Sequence, residues 1–331
     1  MLRKSFYYSV FFLTISFFIF TNQALAQMSD LAITIFPEYP KPGEEVYVSL
    51  ENHSTDLRTA HIKWSVNGKL IEEGVGLKEM VITAGEAGLD TVIDIDITTR
   101  NGQTYFDGIT LRPAEVILLW QTDGSVPPFY NGKAPYIMGA EITFTAIPEF
   151  FKNGSRINPN ELLYTWKRSG STITSASGYG KTTYKTSSTS YIRNGQDISV
   201  EVSAPNETIA GKASVFVPSS ATQIIFYENH PLYGITFNKA LANNVIMNEN
   251  EITVLASPYF FSPAENPTNP ILSNWKVNGD DALGYGNKKE ITLRKINNQT
   301  GSSVLSFSIK HPSATFQNAM RSLRVSIENN S

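Results

Sequence analysis

Lys63-Trp64-Ser65-Val66-Asn67-Gly68 decides the reading, because its pattern occurs three times. Thr165-Trp166-Lys167-Arg168-Ser169-Gly170 and Asn274-Trp275-Lys276-Val277-Asn278-Gly279 are the other two copies. The tryptophans are 102 and 109 residues apart (166 − 64 and 275 − 166). Similarity at such a period means one domain of about a hundred residues occurring three times. A Gly-x-Gly follows each tryptophan: Gly74-Val75-Gly76, Gly178-Tyr179-Gly180 and Gly284-Tyr285-Gly286. These glycines read as a turn needing φ > 0. The later two units also share Pro148-Glu149-Phe150-Phe151 and Pro258-Tyr259-Phe260-Phe261, 18 and 17 residues before their tryptophans (166 − 148 and 275 − 258).

Around these anchors the apolar period is two, which predicts strands. Val46, Val48 and Leu50 alternate with Tyr47 and Ser49, and Ile62, Trp64 and Val66 with Lys63 and Ser65. Ile93, Ile95 and Ile97 do the same, as do Ile142, Phe144 and Ala146, then Ile198, Val200 and Val202. Ile252, Val254 and Ala256, Leu305, Phe307 and Ile309, and Leu323, Val325 and Ile327 complete the set. One apolar and one polar face marks antiparallel sheets packed on one side. Short strands and frequent turns predict an all-β chain of two-sheet sandwiches.

On these residues the chain resembles the immunoglobulin-like superfamily, specifically tandem bacterial Ig-like or PKD-like modules of exported, cell-envelope proteins. The resemblance implies three sandwiches, over 27–113, 114–219 and 220–331, each with a central tryptophan: Trp64, Trp166 and Trp275. Antibody-type domains add a disulfide, but this chain has no cysteine. Apolar pairs are the expected substitutes: Val48 with Ile95, Phe144 with Val200, and Val254 with Phe307.

The 331 residues carry 27 Lys and Arg against 30 Asp and Glu, a net charge of −3. Charged residues make up 17%, below the ~25% usual for soluble domains, which favours a packed chain over a disordered one. Arg3 and Lys4, the apolar run Phe6 to Phe20 and Ala24-Leu25-Ala26 read as a secretory signal over 1–26. Its removal takes two bases and no acid, leaving −5. That balance gives no electrostatic reason to bind nucleic acid or anionic lipid. No later run is long and apolar enough for a membrane span. The expected location is extracytoplasmic, in a bacterial envelope or secreted, because cysteine-free export suits that setting.

The joints are short, Arg112-Pro113-Ala114-Glu115 and Pro218-Ser219-Ser220-Ala221, and the prolines predict stiffness and a fairly rigid rod. Two longer segments, 123–139 and 229–249, share Pro128-Phe129-Tyr130 against Pro231-Leu232-Tyr233. They occur only where a domain precedes, so packing against that domain is the expectation. A ligand surface and cover for their own sandwich are the alternatives.

Several constellations have plain readings. Gly178 to Thr182 resembles the end of a phosphate loop, but Ser175 replaces its first glycine and no helix pattern follows. His53, His61, His230 and His311 lack metal-ligand spacing and read as solvent-facing or capping residues. Asp94 and Asp96, with Asp90 nearby, read as outward strand acids, not as a calcium site or acid–base pair. The sequons at Asn52, Asn153, Asn206 and Asn298 read as turn chemistry.

The function predicted is a non-enzymatic scaffold, stalk or adhesin-like accessory, without cofactor or metal. An envelope or surface protein is the expected partner, and a glycan the other possibility. The candidate interaction surface is Phe129, Tyr130, Phe150, Phe151, Tyr233, Tyr259, Phe260 and Phe261. Core or domain-interface packing is the competing reading of these rings. The alternative functions are carbohydrate binding through the loop aromatics and an enzyme with a cryptic site.

Overall fold

The computed structural model describes residues 31–187, 195–205, 208–263, 268–296 and 300–328. The expected signal peptide lies outside them, as do Asn206 and Asn298. The described residues form strands and two 3-10 turns, Leu57–Thr59 and Pro159–Glu161, with no α-helix. No helix among them is long and apolar enough to cross a membrane.

One compact unit comprises residues 31–38, Glu44–Ala84 and Asp90–Leu111. Leu31–Phe36, Glu45–Asn52 and Glu79–Thr83 form a three-stranded sheet in that order. Lys69–Val75, His61–Val66, Thr91–Thr98 and Thr104–Leu111 form a four-stranded one. Every pairing is antiparallel. The inward residues of both sheets make one core, with Val46, Val48, Ile62, Trp64, Ile93 and Ile95 fully buried.

The other unit comprises Tyr39–Gly43, Gly85–Leu89 and the described residues from Arg112 onward, and it holds two further sandwiches. In the second, Thr183–Ser187, Glu141–Glu149 and Glu115–Thr122 oppose Ser171–Thr172, Leu163–Arg168, Gln196–Ala204 and Ile209–Val217. In the third, Gly234–Ala240, Gln223–His230, Glu251–Tyr259 and Glu290–Arg294 oppose Asn244–Ile246, Asn318–Ile327, Gly301–Lys310, Leu272–Val277 and Asp280–Asp281. The chain is therefore a tandem array of immunoglobulin-like β-sandwiches. In each, the strand that follows the tryptophan strand pairs with it, whereas the antibody constant type places that strand on the opposite sheet.

The repeated motif has a physical explanation in all three. Asn67-Gly68, Ser169-Gly170 and Asn278-Gly279 all have positive φ and form two-residue hairpin loops of the type that matches strand twist. The Asn67 and Asn278 side chains accept from Val92 N–H and Val304 N–H, at 2.9 and 2.8 Å, tying the loop to the next core strand. Each tryptophan is fully buried, and its indole N–H donates to the carbonyl of Leu77, Lys181 or Lys288 at 2.8, 2.8 and 3.1 Å. Burying a ring of this size contributes about 4–6 kcal/mol.

The Gly-x-Gly expectation needs correction. Gly76, Gly178, Gly180 and Gly284 have positive φ, but Gly74 and Gly286 do not. Gly76 is irreplaceable on two counts, since an added Cβ would also lie 2.9 Å from the Arg58 carbonyl. In the third sandwich Asn287, at φ 58°, takes the left-handed position and bonds Ser273 through both its backbone and its side chain.

Val48, Ile95, Phe144, Val200, Val254 and Phe307, the expected disulfide substitutes, are all fully buried in their respective cores.

Candidate interaction surface

The longer segments do not pack as expected. Within the second unit, residues 123–139 pack on the sandwich that follows. Ser125 N–H donates to Phe261 O at 2.9 Å, and Phe260 N–H donates to Ser125 O at 2.7 Å. Tyr136–Ile137 pairs in parallel with Ser219–Ser220, so the joint is itself part of a strand ladder. Tyr136 points into the second core, and its neighbour Ile137 points into a separate cluster with Ala140, Tyr227, Tyr259 and Phe260. The cause lies in the third sandwich. Ile224 and Phe226 face its core, so Ile225 and Tyr227 face outward and need cover.

Segment 229–249 instead covers its own sandwich. Gly234–Ala240 pairs with Gln223–His230, and Asn244–Ile246 pairs in parallel with Asn318–Ile327. Met247 is buried in the third core, with Leu241 and Val245 against it.

The joint therefore claims much of the candidate surface. Phe150 is fully buried in the second core, and Tyr259, Phe260 and Phe261 are buried at 5%, 8% and 3% exposure. These four are not surface residues. Simple alternation left one ring of each pair outside, but Phe260 has φ 57°, which breaks the alternation. Both faces at this strand end are covered, one by the third core and one by residues 123–139. Phe151 is half-buried beside the Ser155–Arg156 hairpin. Burial pushes the Tyr259 phenol up to about 12, and the neighbouring Tyr227 adds to the shift.

Three candidates remain exposed. Phe129 is 94% exposed and has φ 61°, a conformation costly for a bulky residue. Tyr130, beside it, rests edge-on against Phe260 with centroids 6.0 Å apart. Tyr233 is 79% exposed and stacks on His230 at 4.7 Å. The sequence reading passed over two related features. Leu232 is as exposed as Tyr233, and Lys133 Nζ lies 4.5 Å over the Trp120 ring, anchoring the segment to its own sandwich.

A buried polar network completes the joint. Gln317, with no exposure, accepts from Ser262 N–H at 2.8 Å and donates to Ser262 Oγ and Met138 O at 3.0 and 3.3 Å. His311, expected to face solvent or cap, caps from a buried position. Its Nδ1 accepts from Ala314 N–H at 2.9 Å, which leaves Nε2–H to donate to Pro263 O at 3.2 Å.

The remaining constellations have the following surroundings. Gly178–Tyr179 pairs with Leu163–Tyr164, and Thr183–Ser187 is a strand where a phosphate loop needs a helix. Asp94 and Asp96 lie opposite Ser65 and Lys63 on the outer sheet face. No group of three His, Asp or Glu among the described residues is arranged as a metal site. Asn52 Oδ1 accepts from Ser54 and Thr55 N–H groups, and Asn153 occupies a left-handed turn.

No family model matches the sequence, and no curated protein does. Solved structures with similar chains include the three N-terminal domains of the bacteriophage RB49 Highly Immunogenic Outer Capsid protein. That likeness has 10% identity over 91% of this chain and 99% of the other, with TM-score 0.30. The Clostridium thermocellum CbhA fibronectin(III)-like modules are 14% identical over 57% of this chain and 95% of theirs, TM-score 0.26. Sidekick-1 immunoglobulin domains 1–4 are 10% identical over 91% and 99%, TM-score 0.24.

Proposed function

We propose that this chain is an exported, non-enzymatic interaction protein, a scaffold, stalk or adhesin-like accessory at a bacterial cell envelope. Its modules run over 27–113, 114–219 and 220–331 after a signal peptide at 1–26. The observation that carries the reading is the joint between the second and third sandwiches. Neighbouring domains move relative to each other unless their interface is extensive and apolar. Here a strand-paired linker, a buried aromatic cluster and the Gln317 amide all oppose such motion. Fixed spacing is what a scaffold supplies. Phe129, Tyr130 and Tyr233 are the contacts it offers to an envelope or surface protein. Glycan binding is the second reading, favoured by the near-complete exposure of the Phe129 ring.

A photo-cross-linking amino acid at 129 or 233, in residues 27–331 mixed with an envelope extract of the source organism, tests this. A defined protein adduct supports the scaffold reading. A glycan adduct without protein replaces it with the carbohydrate reading. No adduct from either position or from chemical cross-linking overturns both.

A further inference from the structure

Acidic charge is segregated along the chain. Residues 27–113 carry seven Lys and Arg against fourteen Asp and Glu, a net −7. Residues 114–331 carry eighteen against sixteen, a net +2. The first sandwich thus holds all of the excess negative charge.

Its three-stranded sheet also has an unusual outer face. Phe36 lies directly opposite Tyr47, and Tyr47 directly opposite Val81. These three residues form a row across the sheet and are 75%, 41% and 59% exposed. Their inward neighbours Val46, Val48, Met80 and Ile82 fill the core, so the row lies on the opposite, outer side of the sheet. Alternation places Glu45 and Glu51 on the same face of the middle strand, and Glu79 beside Val81. Glu79 is the diagonal neighbour of Tyr47 on this face, and its carboxylate raises the Tyr47 phenol above its ordinary value. Lys78 lies 3.8 Å from Glu79.

We infer that this face docks a basic polypeptide segment of a partner protein, with an apolar side chain on the row and Lys or Arg side chains on the rim. This deepens, and rests on, the interaction-protein reading above. Carboxylates beside exposed Phe and Tyr rings suit cations twice, through ion pairs and through the ring faces. Nucleic acid, acidic glycans and anionic lipid are repelled by the same charge, and a neutral glycan leaves it unused.

The test uses residues 27–331 and two probes, the peptides KKKFKKK and KKKGKKK, with binding followed by fluorescence anisotropy. KKKFKKK is expected to bind at least fivefold more tightly than KKKGKKK. Phe36→Ser with Tyr47→Ser abolishes that preference, and Glu45→Gln with Glu79→Gln weakens both probes. Asp94→Asn with Asp96→Asn, on the opposite sheet, leaves both unchanged. All these positions are on outer strand faces, and an unchanged far-ultraviolet circular dichroism spectrum shows that the variants fold. Equal binding of the two probes overturns the proposal, as does equal weakening by the Asp94 and Asp96 pair. An envelope-protein adduct from position 129 or 233 alongside either result leaves the broader reading standing while this face fails.

Discussion

Phe260 gives the sharpest test of the joint. It is buried against Ile137, Ala140, Tyr227 and Tyr259, yet its backbone is left-handed at φ 57°. Truncation to alanine removes the ring and leaves a cavity, a change that costs about 3–5 kcal/mol. Alanine keeps the backbone penalty, about 1–2 kcal/mol for an L-residue in this region. Glycine loses the same ring but escapes that penalty. Its greater freedom when unfolded takes back roughly 0.4–1 kcal/mol. Phe260→Gly should therefore be more stable than Phe260→Ala by about 0.5–1 kcal/mol, reversing the usual order of the two residues. Calorimetry of residues 27–331 reads this directly. For a unit of this size, ~1 kcal/mol moves the midpoint by about 2–4 °C, so the alanine variant should drop on the order of 10 °C. The transition of the first sandwich should not move, since its core shares no residue with this cluster. An alanine loss below about 1 kcal/mol would show that the cluster is not a working interface. Glycine falling below alanine by its ordinary margin would refute the backbone argument.

The other predictions follow from single positions. Phe129 combines a left-handed backbone with 94% exposure, so Phe129→Gly should stabilise the second unit by about 0.5–1 kcal/mol while weakening partner capture. Denaturant titration checks the first effect and the cross-linking assay the second. Ser169 holds the hairpin position that Asn67 and Asn278 hold in the other sandwiches and makes the same backbone bond to the adjacent core strand, to Asp197 O, but has no amide side chain to accept a second one. Ser169→Asn should therefore stabilise the second sandwich by about 0.5–1.5 kcal/mol, measured by urea unfolding. Tyr259 stays protonated when folded up to about 12, against 10.0 for the free phenol. The unfolded state alone loses that proton between these values, so stability is intact below pH 10 and falls as pH rises toward 12. Phe in place of Tyr259 should flatten that stretch of the stability–pH curve, and an unchanged slope would remove the argument.

The cores were legible in the sequence because strand alternation is a local signal. Val46, Val48, Ile93 and Ile95 face inward for the same reason that Tyr47 faces outward. The joint was not legible in the same way. Phe260 looks like an ordinary strand-end residue, and nothing in its neighbours announces a left-handed backbone or a cover supplied from residue 125. The shared Pro-x-Tyr pattern of 123–139 and 229–249 misled, because the two segments cover different surfaces. The acidic first sandwich could have been found by counting charge per module, and its outer row by following Tyr47 across to Phe36 and Val81.

The claim that the second and third sandwiches are held at fixed spacing has one direct measurement. The chain contains no cysteine, so single cysteines at exposed Ser171 and Asp281 give unique spin-label sites. Pulsed electron–electron double resonance then reports the distance distribution between the two hairpins. The account predicts one narrow peak in the wild-type background, broadened by Phe260→Ala with Gln317→Ala. A broad distribution in the wild-type background, unchanged by those substitutions, would contradict it.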